Sequence, residues 1–382
     1  MNSALNKVPE EAVPTIELAQ QLVRLDTSNP PGNETLAAKL IADRLVSLGV
    51  DVQWHELEPG RDSIVAHLNP GASDAALCLC GHLDTVPLGS EPWKVSALSG
   101  EISEYRMWGR GTTDMKCGVA AMVTAFERLR VQGSKANVVL ALLASEETGC
   151  QGAVHVVDKL PPIGALVIAE PTNGELAIGH KGVLWLKLTT KGKAAHGSMP
   201  HLGVNAIDIM STAISSLRSL SFGVASSPLL GDPTYNVGTV SGGSGTNIVP
   251  DRCECTVDIR LIPGLTASHA KKLVAECVGG DVEIETVLAL DAVACDPDDA
   301  WIQSVTARTA EIEGRRITPT SVSYFTDGSV LVPALNSPPI AIVGPGDPAL
   351  AHKVNESCSV TAIWRASQLY ERLALDWTDS NN

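Results

Sequence analysis

Four short apolar runs constrain this chain more than any other feature: residues 63–68, 75–80, 137–144 and 164–169. Each is bounded by turn-forming residues and is too short for an ordinary helix. None shows the strict alternation of a strand with one wet face. Runs of this kind read as strands covered on both sides, the building unit of a largely parallel α/β sheet. The cover lies between them. Residues 14–46 read as two helices around a break at Asn29-Pro30-Pro31-Gly32, and Val119, Met122, Val123 and Phe126 give residues 116–130 one apolar face.

Acid and imidazole groups stand at the ends of these runs. His82 and Asp84 follow the second, Glu146 and Glu147 the third, and Glu170 the fourth. Ligands of open α/β sheets collect outside the carboxyl ends of the strands. Two more segments extend the set: Gly111-Thr112-Thr113-Asp114-Met115-Lys116, and His352 at the end of a loop stiffened by Pro345 and Pro348. Two imidazoles and three carboxylates suffice for a pair of borderline divalent cations when one carboxylate is shared. Asp84 and Glu146 are then spare, and spare carboxylates convert a metal site into a catalytic one.

Each residue also has a plainer use. Asp114 stands where a helix beginning near Met115 would take a cap. His352 could be an ordinary surface residue. Adjacent Glu146 and Glu147 behind an apolar run repel each other and lose hydration. A solvated loop would relieve that, and so would cations, with one glutamate a ligand and the other a general base. Asp84 could take the second N–H of a metal-bound His82, although strand alternation alone does not bring the two together. Two dications more than balance three carboxylates, and the residual charge can hold a bridging hydroxide and stabilise an oxyanion.

At 382 residues the chain exceeds what one core usually serves, so two domains are expected. The texture changes near Gly179: residues 182–191 alternate as a strand, and helix, strand, strand, helix and strand patterns follow to residue 288. That order is the ferredoxin-like split. Residues 180–292 are therefore read as an insertion into a discontinuous catalytic domain of residues 1–179 and 293–382. A net charge of −15 excludes a nucleic-acid role, which needs a basic footprint. The 9 cysteines are scattered, and Cys78, Cys80, Cys253 and Cys255 fall in strand-like runs as buried thiols, so a reducing cytoplasm is expected. Met1-Asn2-Ser3-Ala4 shows no signal-peptide pattern, and no apolar run is long enough for a membrane span.

Taken in order, these segments resemble the acetylornithine deacetylase, succinyl-diaminopimelate desuccinylase and carboxypeptidase G family of dinuclear metallohydrolases. The resemblance runs from Asp26-Thr27-Ser28-Asn29 to His352. It implies a zinc-exopeptidase-like catalytic domain with an inserted lid and dimerisation domain. It implies Asp114 bridging two ions, most expectedly Zn2+ with Co2+ or Mn2+ as alternatives. Glu147 and His352 would complete one site, and His82 and Glu170 the other. Asp84 would orient His82, and Glu146 would be the general base. Ala195-His196-Gly197-Ser198 resembles the segment whose histidine stabilises the oxyanion, reaching across the dimer in some relatives. Asn247 resembles a substrate-facing asparagine, and Arg260 the arginine that holds the substrate carboxylate. Glu at position 170 is more like the deacetylase and desuccinylase branch. Cys117 departs from the glycine that relatives often carry; a small buried residue is the first reading, and sensitivity of activity to oxidation or heavy metals the alternative.

The expectation is a cytoplasmic, homodimeric, metal-dependent amidohydrolase acting on an N-acyl amino acid. Alternatives are a dipeptidase or glutamate-type carboxypeptidase on the same machinery, and a non-catalytic metal- or carboxylate-binding homologue. The last would need neither Glu146 nor Asp84. A serine hydrolase fails because Gly242-Gly243-Ser244-Gly245-Thr246 lacks the closing glycine of a nucleophile elbow.

Overall fold

The computed structural model describes residues 8–71 and 75–380, so the Met1-Asn2-Ser3-Ala4 stretch lies outside the described residues. Helices α1 (Val13–Val23) and α2 (Glu34–Ser47) precede strands β1 (Val52–Glu58), β2 (Arg61–Leu68) and β3 (Ala76–His82). A hairpin of β4 (Glu101–Ser103) and β5 (Arg106–Trp108) leads to α3 (Lys116–Val131), β6 (Val138–Leu143), α4 (Gln151–Val156), β7 (Ile163–Ile168) and β8 (Ala177–His180). Next come β9 (Gly182–Lys191), α5 (Ala206–Ser216), β10 (Thr234–Gly242), β11 (Arg252–Leu261), α6 (Ala267–Val278) and β12 (Val282–Leu290). The chain continues through β13 (Val293–Ala294), α7 (Ala300–Glu313), β14 (Thr320–Val322), α8 (Gly328–Ala334), β15 (Ile340–Ile342), β16 (Ser357–Ser359) and α9 (Val360–Ser380).

By packing, the chain forms two compact units. One reaches Gly179 and resumes over Ala294–Val322 and from Thr326 onward; the other comprises His180–Val293 with Ser323–Phe325. The first is a mixed α/β unit whose central sheet runs β1-β2-β6-β3-β7-β15-β8-β13, with β14 beside β8. Its middle is parallel, β3 pairing in parallel with both β6 and β7, and β7 with β15. Every residue of β3 and β6 is buried, as their unbroken apolar runs require. Strand β1 escapes the apolar reading because its Gln53, His55 and Glu56 belong to an edge strand, antiparallel to β2.

The second unit is an antiparallel sheet ordered β10-β11-β9-β12, the ferredoxin-like arrangement, with α5 and α6 between its strands in sequence. Leu184, Leu186, Leu188, Val257, Ile259, Met210 and Val274 form its separate core. At its margin Trp185 meets Phe325 edge-on, with ring centroids 6.4 Å apart, which ties Ser323–Phe325 to this unit.

Candidate metal centre

The first unit gathers five of the expected site residues at the carboxyl edge of its sheet. His82 closes β3, Glu170 follows β7, Glu147 follows β6, Asp114 precedes α3, and His352 lies on the loop between β15 and β16. Ligand atoms of His82, Asp114 and Glu170 lie within 4.8 Å of one another, and those of Asp114, Glu147 and His352 do likewise. Asp114 belongs to both clusters. Its Oδ1 faces His82 Nε2 at 3.0 Å and its Oδ2 faces His352 Nε2 at 3.2 Å. Glu170 Oε1 stands 3.6 Å from His82 Nε2, and Glu147 Oε2 stands 3.1 Å from His352 Nε2. Asp114 does not cap α3: the cap position is Met115, and the carboxylate is spent on the imidazoles instead.

Local backbone choices produce this convergence. Ser145 and His352 hold left-handed φ values of 64° and 62°, which no turn glycine relieves. The first swings the chain sharply off β6 so that Glu146 and Glu147 follow at the sheet edge. Gly344 and Gly346 let the His352 loop lie directly on its neighbours. A Cβ at Gly344 would meet the Glu170 carbonyl at 2.4 Å, and one at Gly346 the Thr113 carbonyl at 2.4 Å.

Asp84 is wholly buried and does more than orient a ring. Its carboxylate accepts the Glu146 and Glu147 backbone N–H groups at 3.1 and 3.2 Å and the Asn29 side-chain amide at 2.9 Å. The nearest acceptor to His82 Nδ1 is the Asp84 carbonyl at 3.0 Å, with carboxylate Oδ1 at 3.4 Å. Asn29 also donates to Thr148 Oγ1 at 3.0 Å, fastening the Asn29-Pro30-Pro31-Gly32 turn to the loop after β6.

Electrostatics follow from burial. Burial pushes Glu146 and Glu170 well above the usual carboxylate range, reinforced at Glu146 by the Glu170 charge and at Glu170 by the Asp114 charge. Glu147 is raised by burial and then by Asp114. Burial alone would lower the His82 imidazole, but hydrogen bonds to Asp114 and Asp84 carry it well above its ordinary value. Hydrogen bonds to Asp114 and Glu147 take His352 up to about 10. For Asp114 burial works upward, and the two imidazoles outweigh it and hold the carboxyl low. Asp327 is buried too, with its carboxyl pushed up to about 7 by burial and Oδ1 without a partner among the described residues.

This donor set fits divalent cations. Nitrogen and carboxylate bonds of about 2.0–2.2 Å in a tetrahedron set ligand atoms roughly 3.4 Å apart. The imidazole-to-carboxylate separations are 3.0 and 3.6 Å in the His82 cluster and 3.1 and 3.2 Å in the His352 cluster. A cation would offset the cost of burying Glu147 and Glu170 beside Asp114. Cys117, by contrast, is buried beside Cys358, and burial drives its thiol well above the usual range. Such a thiol is the small buried residue expected first at this position, and burial speaks against the alternative of an oxidation-sensitive group.

The remaining expected residues belong to the second unit. His196 is exposed, its Nδ1 2.7 Å from Ser198 Oγ, and it bridges to Ile248 while Gly197 N–H donates to the Asn247 carbonyl at 2.7 Å. His196 and Asn247 therefore share one surface. Arg260, on β11, holds Asp258 Oδ2 through Nε at 3.2 Å and Nη2 at 3.0 Å.

One aspartate shared between two imidazole-bearing clusters, at the carboxyl edge of a largely parallel sheet, is the architecture of a metallohydrolase. Residues 78–376 match the sequence profile of peptidase family M20/M25/M40, and the chain belongs to that family of hydrolases. Among similar proteins, a probable succinyl-diaminopimelate desuccinylase of Staphylococcus epidermidis is 28% identical over 376 residues, covering 89% of this chain and 92% of its own. An acetylornithine deacetylase of Vibrio cholerae is 30% identical over 362 residues, with coverage of 89% and 92%. The fold matches an M20 family metallo-carboxypeptidase from Sulfolobus solfataricus with a TM-score of 0.79 at 19% identity, over 97% of this chain and 99% of that one. It also matches a dinuclear metal-binding M20 peptidase of Bacillus subtilis with a TM-score of 0.72 at 14% identity, over 96% and 98%.

Proposed function

We propose that this protein is a two-metal amidohydrolase that cleaves the amide of an N-acyl amino acid, in the manner of an acetylornithine deacetylase or succinyl-diaminopimelate desuccinylase. The observation that carries the reading is Asp114 placed between two imidazole clusters with Glu146 left buried and unligated beside them. His82, Asp114 and Glu170 would hold one ion, and Asp114, Glu147 and His352 the other. Such ions, Zn2+ foremost, supply Lewis acidity for the scissile carbonyl and acidify water. The choice of an acyl amino acid rests on the names of relatives near 30% identity that span most of the chain.

Glu146 takes the proton of the attacking water on its carboxylate and returns it to the departing amine nitrogen. Its place at the ligand edge, buried and adjacent in sequence to Glu147, suits both halves of that transfer. Asp84 keeps Glu146 in place through the backbone and keeps the His82 ring turned. From the inserted unit, His196 is assigned to the oxyanion and Asn247 to the substrate. Arg260 is assigned to the substrate carboxylate. Arg260 gives two of its five N–H donors to Asp258, leaving three for a ligand.

The test is amine release from N-acetyl, N-succinyl, N-carbamoyl and dipeptide substrates after zinc or cobalt loading, with Glu146→Ala alongside. Turnover of one acyl class by the wild type, lost by about 10²–10⁴-fold in Glu146→Ala with both ions retained, is the expected result. Activity in Glu146→Ala would refute its role, and silence across the panel in a metal-loaded protein would refute the amidohydrolase.

We also propose a homodimer through the inserted unit. Strand β10 is an edge whose sequence, TYNVGTVSG, carries no charge and leaves Val240 59% exposed, whereas the opposite edge β12 carries Glu283 and Glu285. Natural edges are guarded by charge, and an unguarded one is fit to pair. Val240→Lys should shift the sedimenting species to monomer. All nine cysteines are free, in keeping with the proposed cytoplasmic location, and no helix among the described residues is long and apolar enough to cross a membrane.

A further inference from the structure

Asp114 and His352 sit on different loops, and a second pair of residues stitches those loops together. Arg110 precedes Asp114 on one loop, and Glu356 follows His352 on the other. Both side chains are buried, and Arg110 Nη1 meets Glu356 Oε2 at 2.6 Å. Each then reaches into the other's loop. Glu356 Oε1 accepts the backbone N–H of Thr113 at 2.7 Å and of Asp114 itself at 3.1 Å. Arg110 donates to the Lys353 carbonyl at 3.2 Å and to the Pro87 carbonyl at 3.1 Å. The seam is completed by Gly109 N–H on the Glu356 carbonyl at 3.0 Å and Thr113 Oγ1 on the Ser357 carbonyl at 3.1 Å.

A buried ion pair is a poor source of stability, since apolar residues of equal volume usually serve as well. What apolar residues cannot do is accept two backbone N–H groups while donating to two carbonyls. His82 and Glu170 need no such device, because each stands two residues beyond Cys80 and Ile168, the last in-register rung of the β3–β7 ladder. We infer that Arg110 and Glu356 are positioning residues that fix Asp114 against His352 and thereby set the ion affinity of the Asp114–Glu147–His352 cluster. This rests on the two-ion reading above. Neither side chain is itself a ligand in that reading.

The test is titration of metal-free protein with Co2+ or Zn2+, following stepwise uptake by calorimetry and elemental analysis. Wild type should take two ions. Glu356→Gln should bind the ion of the Asp114–Glu147–His352 cluster about 10–100-fold more weakly, the usual effect of removing a residue that orients a ligand. The His82–Glu170 ion should weaken by clearly less, since that half shares Asp114 but keeps its strand ladder. The variant's kcat should recover in excess metal, and the unequal loss of the two ions is what a merely destabilised protein would not show. Arg110→Lys should move the same way, because Nη1 serves Glu356 and the Lys353 carbonyl while Nη2 serves the Pro87 carbonyl, and one ammonium nitrogen cannot stand in both places; it carries the test should Glu356→Gln fail to fold. Arg308→Gln, which removes an ion pair with Asp376 elsewhere in the unit, should leave both affinities unchanged. Two ions at wild-type affinity in folded Glu356→Gln and Arg110→Lys would overturn the inference alone. A wild type that takes no second ion would overturn the two-ion reading and this inference with it.

Discussion

The two halves of the candidate centre share Asp114 and differ in nearly everything else. The His82–Glu170 half is drawn from the ends of neighbouring strands, and the His82 side chain is 1% exposed. The Glu147–His352 half is drawn from loops, and the His352 side chain is 52% exposed. Strand ends come with their spacing fixed by the ladder. Loop residues have no ladder, so their placement is made by left-handed backbone at Ser145 and His352, by close approach at Gly344, and by buried carboxylates under the peptide N–H groups. Asp84 plays that last part for the loop after β6, and Glu356 plays it for the loop before α3.

The comparison breaks most completely at the residue both halves own. Asp114→Ala should abolish turnover and reduce uptake from two ions to one or none, measured by elemental analysis after dialysis. Two ions retained would mean that the halves do not share Asp114. Next in size is the contrast between the two imidazoles. In metal-free protein, His82→Ala empties a buried position among carboxylates, and breaking a buried pair of this kind costs about 3–5 kcal/mol. His352→Ala removes a half-exposed ring and should cost the metal-free protein less than about 1 kcal/mol, although on metal loading it should take one ion instead of two. Equal losses in urea melts would erase the distinction between the closed and open halves.

The closed half was legible in the sequence and the ties of the open half were not. His82, Glu146, Glu147 and Glu170 each follow an apolar run, and position at a strand's end carries information that survives without a structure. Residues 63–68, 75–80, 137–144 and 164–169 became β2, β3, β6 and β7 with shifts of a residue or two. Asp114 was ambiguous because a helix start and a ligand want the same residue type, and only the placement of Met115 at the cap resolves it. Arg110 and Glu356 gave no signal at all. Their partners are mostly backbone groups far away in sequence, which no side-chain spacing records. Asp84 was half legible: its nearness to His82 could be guessed, but its hold on the Glu146 and Glu147 N–H groups could not.

A third way to sharpen the contrast uses pH. His352 in the metal-free protein holds its proton up to about 10, against an ordinary value of 6.5, because Asp114 and Glu147 bond it. A ligand imidazole must be neutral, so an ion entering the open half between these values displaces a proton. Its apparent affinity should rise with pH, by up to about tenfold per unit, and level off above the shifted value. Calorimetry in buffers of different ionisation enthalpy should report that release for the open half. The same shift has a sign for stability: the His352 ion pairs favour the metal-free fold fully below 6.5 and are lost as pH climbs through about 10. Enthalpies that do not depend on the buffer would remove the proton from the account.

The smallest expected effect lies behind the closed half, at Asn29. Its amide donates to Asp84 at 2.9 Å and to Thr148 at 3.0 Å, and it touches no ligand. Removing it leaves Asp84 with its two backbone N–H groups and the His82 ring, so the carboxylate stays charged and stays put. What it loses is one of the bonds that fix its plane. A hydrogen bond to a charged group contributes about 1.5–3 kcal/mol, and Asn29→Ala should destabilise the fold by an amount in that range. Both ions should remain at wild-type affinity, because the open half hangs on Glu356 and the closed half on its ladder. Turnover should fall by about tenfold at most, through looser placement of Glu146 rather than through metal loss. An ion lost from Asn29→Ala would show that the closed half, too, depends on its buried ties, and that the strand ladder alone does not hold it.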